Sequence, residues 1–374
     1  MMWSKNWEIF KNEKPFKNPP YNKRNWGSSN HSLCSFYGKL KPSISHFLVK
    51  TFTNEGDRLL DCFCGSGTIP FEGALNGRYT YAMDINPISI VITNAKVKKV
   101  SLDKLQEEFS NLASFIKSSD LTITEIELAK KFGFNKTLTE YYETKTFEEI
   151  LKARNYFKIN KPVNPEGYFI LTCLLHILHG NRPYALSRRS HPITPYAPSG
   201  EFEYKILTNK LYQKIDKAFK ESQKYEIVEG EVFQTDILSL WPDEIQDINA
   251  IITSPPFFDS TKYYQTNWIR SWFLGWEFED FEKERHNFID TIQKKSMDIY
   301  DPILKKCKER LAKDGVVVFH LGKSPKKDMG EAISVYAKRY FKKVQLFDED
   351  VSKIEKHGIE DKGSVSVHQY LIMS

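Results

Sequence analysis

The stretch "LLDCFCGSGTIPFEGAL" (residues 59–75) decides the fold, because it runs from an apolar strand through a glycine turn into a helix. Gly65 and Gly67 stand directly after the strand. Glycines there let the backbone approach a ligand closely, and the start of the following helix supplies free N–H groups. A tight strand-to-helix turn without a ligand is the alternative interpretation of a glycine pair.

Two further residues narrow the kind of ligand. A dinucleotide fingerprint needs a third glycine or alanine three positions after the second glycine, and Pro70 stands there instead. The next strand, "YTYAMDI" (79–85), places Asp84 19 residues after Gly65, close to the ~20 expected for an acid that binds ribose hydroxyls. The pattern therefore favours a nucleoside without a pyrophosphate.

The rest of the chain alternates short apolar strands with helical segments, which is typical of a doubly wound, mostly parallel α/β sheet. Further strands are predicted in "EVFQTDI" (231–237), "INAIITS" (248–254) and "GVVVFHLG" (315–322). The last two, 342–350 and 364–373, leave no room for a crossover helix between them, so they are predicted to be antiparallel. Three regions result: 1–99 and 226–374 as the two halves of the core, and 100–225 as a mainly helical insertion.

Composition sets looser limits. The chain has 374 residues, a net charge of +6 and a pI near 8.7, which permits an anionic partner without requiring one. Its five cysteines are scattered and have neither a disulfide nor a zinc spacing, so no metal is expected. The longest apolar run is too short to cross a bilayer and the N-terminus lacks a signal sequence, which predicts a cytoplasmic protein.

A second unusual stretch is "AIITSPPFFDSTKYY" (250–264), where a β-branched run stops at Ser254 and two prolines follow. Neither proline can donate a ladder hydrogen bond, so the strand must end and the chain must leave it as a stiff, extended loop. A strand cap followed by two core phenylalanines is the structural alternative.

These blocks together resemble the S-adenosylmethionine-dependent DNA amino-methyltransferases, which are class I, Rossmann-like enzymes. "DCFCGSGT" with "MDINP" is similar to their cofactor site, "HSLCSFYGKLKPSISHFLV" (31–49) to the segment beside the methionine end of the cofactor, and "TSPPF" to their catalytic loop. The resemblance implies the following cofactor-binding residues: Tyr37, Asp61, Phe63, Gly65, Gly67, Thr68, Asp84 at the ribose and Asp236 near the adenine amino group. The equal alternative for Asp236 is a surface acid that ends a strand.

The chemistry of an exocyclic amine explains the catalytic loop. Its lone pair is delocalised into the ring, and two acceptors on its N–H groups would free that lone pair to attack a sulfonium methyl. Ser254 Oγ and the carbonyl of Pro255 are the predicted acceptors, the Pro255-Pro256 pair fixes the backbone, and Phe257 offers a flat face to a base outside its stack. No Pro-Cys dipeptide occurs, which argues against methylation of carbon 5.

Two segments combine basic and aromatic residues that suit phosphate contacts and base stacking. Lys262 and Arg270 lie in 257–276, and Arg188 and Arg189 lie in 181–204. A solvated surface is the equal alternative for the arginines. Tryptophans 268, 272 and 276 recur at helical spacing and are predicted to be core residues.

The sequence therefore predicts an enzyme that methylates cytosine N4 in double-stranded DNA with the target base flipped out. Adenine N6, an RNA amino group, or a nucleic-acid-binding protein without turnover are the alternatives. A cognate restriction endonuclease is a partner that the resemblance allows.

Overall fold

The computed structural model describes residues 3–23, 26–36, 38–180, 183–189, 197–258, 266–284, 286–351, 355–356, 359–360 and 365–374. The strands are β1 Arg58–Asp61, β2 Tyr79–Asp84, β3 Glu231–Gln234, β4 Ile248–Thr253, β5 Leu311–Ser324, β6 Lys327–Asp328, β7 Val344–Asp350, β8 Glu355–Lys356, β9 Ile359–Glu360 and β10 Val367–Met373. The helices up to β3 are α1 Ser4–Glu13, α2 Pro42–Phe52, α3 Thr68–Leu75, α4 Pro87–Val97, α5 Leu102–Ser118, α6 Ile123–Lys131, α7 Leu138–Tyr141, α8 Thr144–Ile159, α9 Pro165–Ile177 and α10 Leu207–Ser222. Those after β4 are α11 Trp268–Phe273, α12 Phe278–Glu284, α13 Ile289–Ile292, α14 Tyr300–Arg310 and α15 Met329–Ala337.

The main sheet has the strand order β3-β2-β1-β4-β5-β10-β7. The pairs from β3 to β5 are parallel, whereas β10 is antiparallel to both β5 and β7. The predicted α/β sheet and its antiparallel C-terminal pair are therefore confirmed. The order leaves the sequence order between β1 and β4, as in a doubly wound sheet. The chain runs outward from β1 to β3 and returns to β4, so the crevice beyond the ends of β1 and β4 is the expected ligand site.

Local sequence explains why the elements beside that crevice begin where they do. Asn86 and Pro87 start α4: the Asn86 side chain accepts a hydrogen bond from the N–H of Ile88, and Pro87 occupies the first helical position. Helix α3 begins immediately after Gly67, whose φ of 69° lies in the left-handed region that favours glycine. Both helix starts therefore face the carboxyl ends of β1 and β2.

Helices α5–α10 occupy the chain between α4 and β3, and they are not a separate body. Helix α9 packs against α4, with apolar side chains such as Phe169 and Leu175 buried in the same cluster as Ile88 and Ile92. Trp268 of α11 is buried there too. The insertion and α4 therefore share one hydrophobic core.

The N-terminal segment covers the other side of the sheet. Trp7 and Phe10 of α1 pack against Tyr370 of β10, with ring centroids 6.1 Å and 5.3 Å apart, and Phe16 joins the same cluster. The packing brings Phe16 to the edge of the crevice. Among the described residues, no helix is long and apolar enough to cross a membrane.

Candidate active site

A cavity of about 690 Å³ opens at the carboxyl ends of β1, β2 and β4. It holds most of the residues that were predicted from the sequence for the cofactor and for catalysis. Those on its wall are Asp61, Phe63, Gly65, Thr68, Asp84, Asp236, Ser254, Pro255, Pro256 and Phe257. Two distant stretches of sequence, the glycine turn and the Ser-Pro-Pro-Phe loop, thus form one site.

The glycine turn is held by the acid at the end of the next strand. One carboxylate oxygen of Asp84 accepts the N–H of Gly65 at 2.8 Å, and the other accepts the N–H of Asn86 at 2.9 Å. Each oxygen keeps a lone pair for a further donor. Burial raises the pKa of Asp84, and these backbone donors act in the opposite direction by favouring the charged form.

The ends of β1 and β4 are joined through a buried carboxylate. Thr253 Oγ1 donates to Asp61 at 2.6 Å, and the N–H of Phe63 reaches both Asp61, at 3.2 Å, and Thr253 Oγ1, at 3.1 Å. Burial raises the pKa of Asp61 to about 7, with the charge of Asp84 adding to the effect. Thr253 is the last residue before the catalytic loop. Its hydrogen bonds with Asp61 and Phe63 therefore hold the start of that loop against the end of β1.

Buried side chains also hold the loop after Ser254. Gln293 donates through Nε2 to the carbonyl of Pro256 at 3.0 Å, and Tyr300 donates to Gln293 Oε1 at 2.9 Å. The N–H of Phe258 donates to Met329 Sδ at 3.1 Å. The direction of the prolyl backbone is thus set by the protein before any substrate binds.

Phe257 lies against the carboxyl-terminal part of β5. A Cβ on Gly322 would be 2.7 Å from the Phe257 ring, so only glycine leaves room for this ring position. The ring centroid of His320 lies 5.5 Å from that of Phe257. Ser254 Oγ is 3.2 Å from His320 Nδ1 and 3.2 Å from the His320 carbonyl oxygen.

The comparisons with known proteins agree with this geometry. A family model described as "RMKL-like, methyltransferase domain" matches residues 31–147, which include the segment before α2, the glycine turn and Asp84. Residues 31–147 are therefore similar to a methyltransferase domain. S-adenosylmethionine is the cofactor that this match supports.

One curated relative is the Type II methyltransferase M.MjaII of Methanocaldococcus jannaschii, which is 26% identical over 117 residues. The match covers 31% of this chain and 22% of that relative, so the chain spans only about a fifth of the relative's length.

Solved structures with similar folds are more distant. A TehB-like SAM-dependent methyltransferase from Corynebacterium glutamicum is 10% identical, with 88% of this chain and 86% of that chain covered and a TM-score of 0.33. An rRNA methylase from Streptococcus thermophilus is 9% identical, with 90% and 97% covered and a TM-score of 0.32.

The residues of the cavity fit this cofactor. Gly65 has a φ of 49°, and a Cβ there would point at Phe36, which is also on the cavity wall, so any side chain would take space from the ligand. Asp84 has lone pairs for ribose hydroxyls, and Asp236 lies on the wall with Oδ1 held by the N–H of Leu238 at 2.9 Å. These residues would hold the nucleoside, and the bound cofactor supplies an activated methyl group.

Gly67 differs in position from Gly65 and Thr68, which both line the cavity. It is not on the cavity wall, and a Cβ on it would lie 2.6 Å from Thr93 Oγ1 of α4. Its left-handed conformation and this contact explain the glycine without a ligand. Gly67 thus has a packing role between α3 and α4, and its cofactor contact stays a prediction.

Arg270 is buried in the protein. Its guanidinium donates to Ser35 Oγ at 2.8 Å, to Asn267 Oδ1 at 2.8 Å and to the Leu175 carbonyl at 3.0 Å. This placement contradicts the predicted phosphate contact, because all three nitrogens are used inside the protein. Trp268 and Trp272 are buried and Trp276 is half-buried, which confirms that they are core residues.

The two arginines of the 181–204 segment differ from each other. Arg188 is half-buried over the ring of Phe202, at 4.2 Å from its centroid, and donates to the carbonyls of Gly200 and, at 3.0 Å, Glu140. Arg189 is exposed. Lys262 and Tyr37 were also predicted to be site residues, and both lie outside the described residues.

Several buried polar residues beside the cofactor site were missed from the sequence. Lys96 of α4 donates to the carbonyls of Ser66 at 2.6 Å and His31 at 3.1 Å, and burial lowers its pKa well below its usual range. Glu72 joins His31 at 2.6 Å and His46 at 3.0 Å. They join the 31–49 segment to the glycine turn. Within the described ranges, no three His, Cys, Asp or Glu residues could together hold a metal ion.

Proposed function

We propose that this methyltransferase modifies the exocyclic amino group of a base in DNA, and that the base is cytosine, methylated at N4. The observation that carries the proposal is the position of Ser254-Pro255-Pro256-Phe257 on the wall of the cavity that also contains Gly65 and Asp84. A target amine at Ser254 would then share one enclosed space with the cofactor. The local similarity to a type II methyltransferase supports the same substrate class.

The residues of the loop suit an amine better than other groups. Ser254 Oγ and the Pro255 carbonyl can both accept hydrogen bonds, and an exocyclic amine has two N–H groups to donate. Accepting both hydrogens localises the nitrogen lone pair, which makes the nitrogen more nucleophilic. The loop is already fixed by Thr253, Gln293 and Met329, so this arrangement requires little reorganisation.

A base must leave the duplex to enter such a cavity. Phe257 lines the wall beside Ser254 and offers an aromatic face for the base to stack on. The proposed partner is therefore double-stranded DNA with its target base flipped. A cognate restriction endonuclease is the second partner that we propose.

Incubation of the purified protein with S-adenosylmethionine and unmethylated duplex DNA is expected to yield N4-methylcytosine, detected by mass spectrometry of the digested nucleosides. The reason is Ser254, since a serine at this position usually accompanies cytosine in the enzymes the chain resembles. N6-methyladenine as the sole product would correct the base, whereas modification of RNA alone would correct the nucleic acid. Neither of these two products would change the reaction class, which is methylation of an amino group. Formation of 5-methylcytosine would refute that reaction class.

Arg189→Ala is expected to reduce the salt dependence of DNA affinity, because an exposed arginine on a phosphate releases a counterion when it binds. The slope of log K against log salt concentration should fall by about 1. Arg188→Gln is the matched control: its guanidinium is already held by main-chain carbonyls, so the slope should stay unchanged. Fluorescence anisotropy at several salt concentrations measures both. Equal slopes for Arg189→Ala and the wild type would remove Arg189 from the DNA interface.

A further inference from the structure

The hydroxyl of Ser254 meets two polar atoms of a single residue. The His320 carbonyl oxygen can only accept a hydrogen bond, so the serine O–H donates to it at 3.2 Å. His320 Nδ1 lies at the same distance from Ser254 Oγ. Both contacts exist together only when Nδ1 carries the ring proton and donates to the serine oxygen, because one hydroxyl proton cannot serve two acceptors.

The surroundings of the imidazole agree with this tautomer. His320 Nε2 is buried and has no hydrogen-bond partner among the described residues. A buried nitrogen without a proton leaves only a lone pair unpaired, whereas a buried N–H without a partner is rarer in proteins. Burial and the neighbouring His368 hold the pKa of His320 well below its usual value, so the ring stays neutral and carries a single proton.

The ring orientation is fixed by packing. Its centroid lies 4.8 Å from that of His368 and 5.2 Å from that of Tyr370, in addition to the contact with Phe257. A rotation of the imidazole would have to displace these rings. Nδ1 therefore stays directed at Ser254.

We propose that His320 is a positioning residue that fixes the Ser254 hydroxyl as a pure hydrogen-bond acceptor towards the target amine. The Ser254 hydroxyl donates a hydrogen bond to the His320 carbonyl and accepts one from Nδ1–H. One lone pair of Ser254 Oγ then remains. Ser254 lines the cavity, so this lone pair is the one available to a substrate N–H. The inference rests on the proposed function for the identity of that substrate.

This arrangement also selects which edge of the base enters. A freely rotating hydroxyl could donate to a ring nitrogen of the base as readily as it accepts from an amino group. A hydroxyl that can only accept is complementary to the amino group alone. His320, which also lies on the cavity wall, thus contributes to specificity for an amine through Ser254.

The tautomer can be measured without turnover. In protein labelled with ¹⁵N at its 9 histidines, proton–nitrogen correlation spectra distinguish a protonated Nδ1 from a protonated Nε2. The His320→Asn variant identifies the His320 signals by their loss. We expect Nδ1 protonated and Nε2 unprotonated at neutral pH; a protonated Nε2 would overturn the inference.

A double-mutant cycle tests the consequence for catalysis. His320→Leu should lower kcat roughly tenfold at unchanged S-adenosylmethionine affinity, the usual size for one lost hydrogen bond. His320→Asn, whose amide can reach the Nδ1 position, should retain most of the wild-type kcat. In a Ser254→Ala background the Leu and Asn variants should transfer methyl equally, because the hydroxyl that they position is gone.

Equal losses from His320→Leu in both backgrounds would assign His320 to packing and overturn the inference. The proposed function fails separately, if the wild-type protein transfers no methyl group to DNA. The labelled-histidine spectra decide the inference in that case too, since they require no substrate.

Discussion

Ser254→Ala is expected to lower kcat by roughly 100-fold or more, the cost of removing one preorganised hydrogen-bonding group from a transition state. The hydroxyl is one of two acceptors for the target amine, and the variant leaves the loop backbone in place, because Thr253 and Gln293 hold it from either side. Affinity for S-adenosylmethionine should stay within about twofold, since the serine faces the substrate. Single-turnover transfer of a labelled methyl group and calorimetric titration measure the two quantities.

Ser118→Ala is the matched control for that variant. Ser118 is exposed on α5 and bonds to the Ser114 carbonyl of its own helix, so its loss should change neither quantity. Retention of more than half of wild-type turnover by Ser254→Ala would show that the hydroxyl is not an acceptor in the reaction.

Asp84→Ala is expected to weaken S-adenosylmethionine binding by roughly 10- to 100-fold, the cost of lost hydrogen bonds to a charged group. Two effects combine: the ribose hydroxyls lose their acceptor, and the N–H groups of Gly65 and Asn86 lose theirs. Asp84→Asn should also bind weakly, because an amide must turn its NH2 group towards one of these backbone donors. Calorimetry with each folded variant gives the affinities.

The control for the acid is Asp243→Ala, which removes an exposed carboxylate beyond the end of β3. Its cofactor affinity should equal that of the wild type. Wild-type affinity in folded Asp84→Ala would exclude Asp84 from the ribose site, and methyl transfer by that variant at saturating cofactor would show the catalytic loop to be independent of it.

The fold and the two ends of the site were predictable because each depends on local patterns. Three patterns carry the prediction: apolar runs of strand length, the glycine turn and the double proline. Each of them spans only a few residues. Their meeting in one cavity follows from parallel topology, since carboxyl ends of parallel strands share one edge of the sheet. Sequence position alone was enough to place Asp84 and Ser254 on the wall of one cavity.

The partners of these residues were not predictable. His320 lies in "GVVVFHLG", an apolar strand in which a histidine looks like any buried residue, and it is 66 residues from Ser254. Gln293 and Lys96 likewise act across long separations. Arg270 was assigned to a basic, aromatic segment by composition, which cannot show which face of a short helix is buried. Only the packing of α11 against α9 and the 31–49 segment decides that.

The core that α9 and α4 share has a consequence for engineering new target specificity. A chimaera in which residues 102–222 come from another enzyme would replace the α9 side chains in the cluster of Ile88 and Ile92, and with them the support of the helix that follows Asp84. It would also remove the Leu175 carbonyl from Arg270. Grafts limited to the surface of α5–α8, with α9 retained, preserve those contacts and are the exchange that this architecture tolerates.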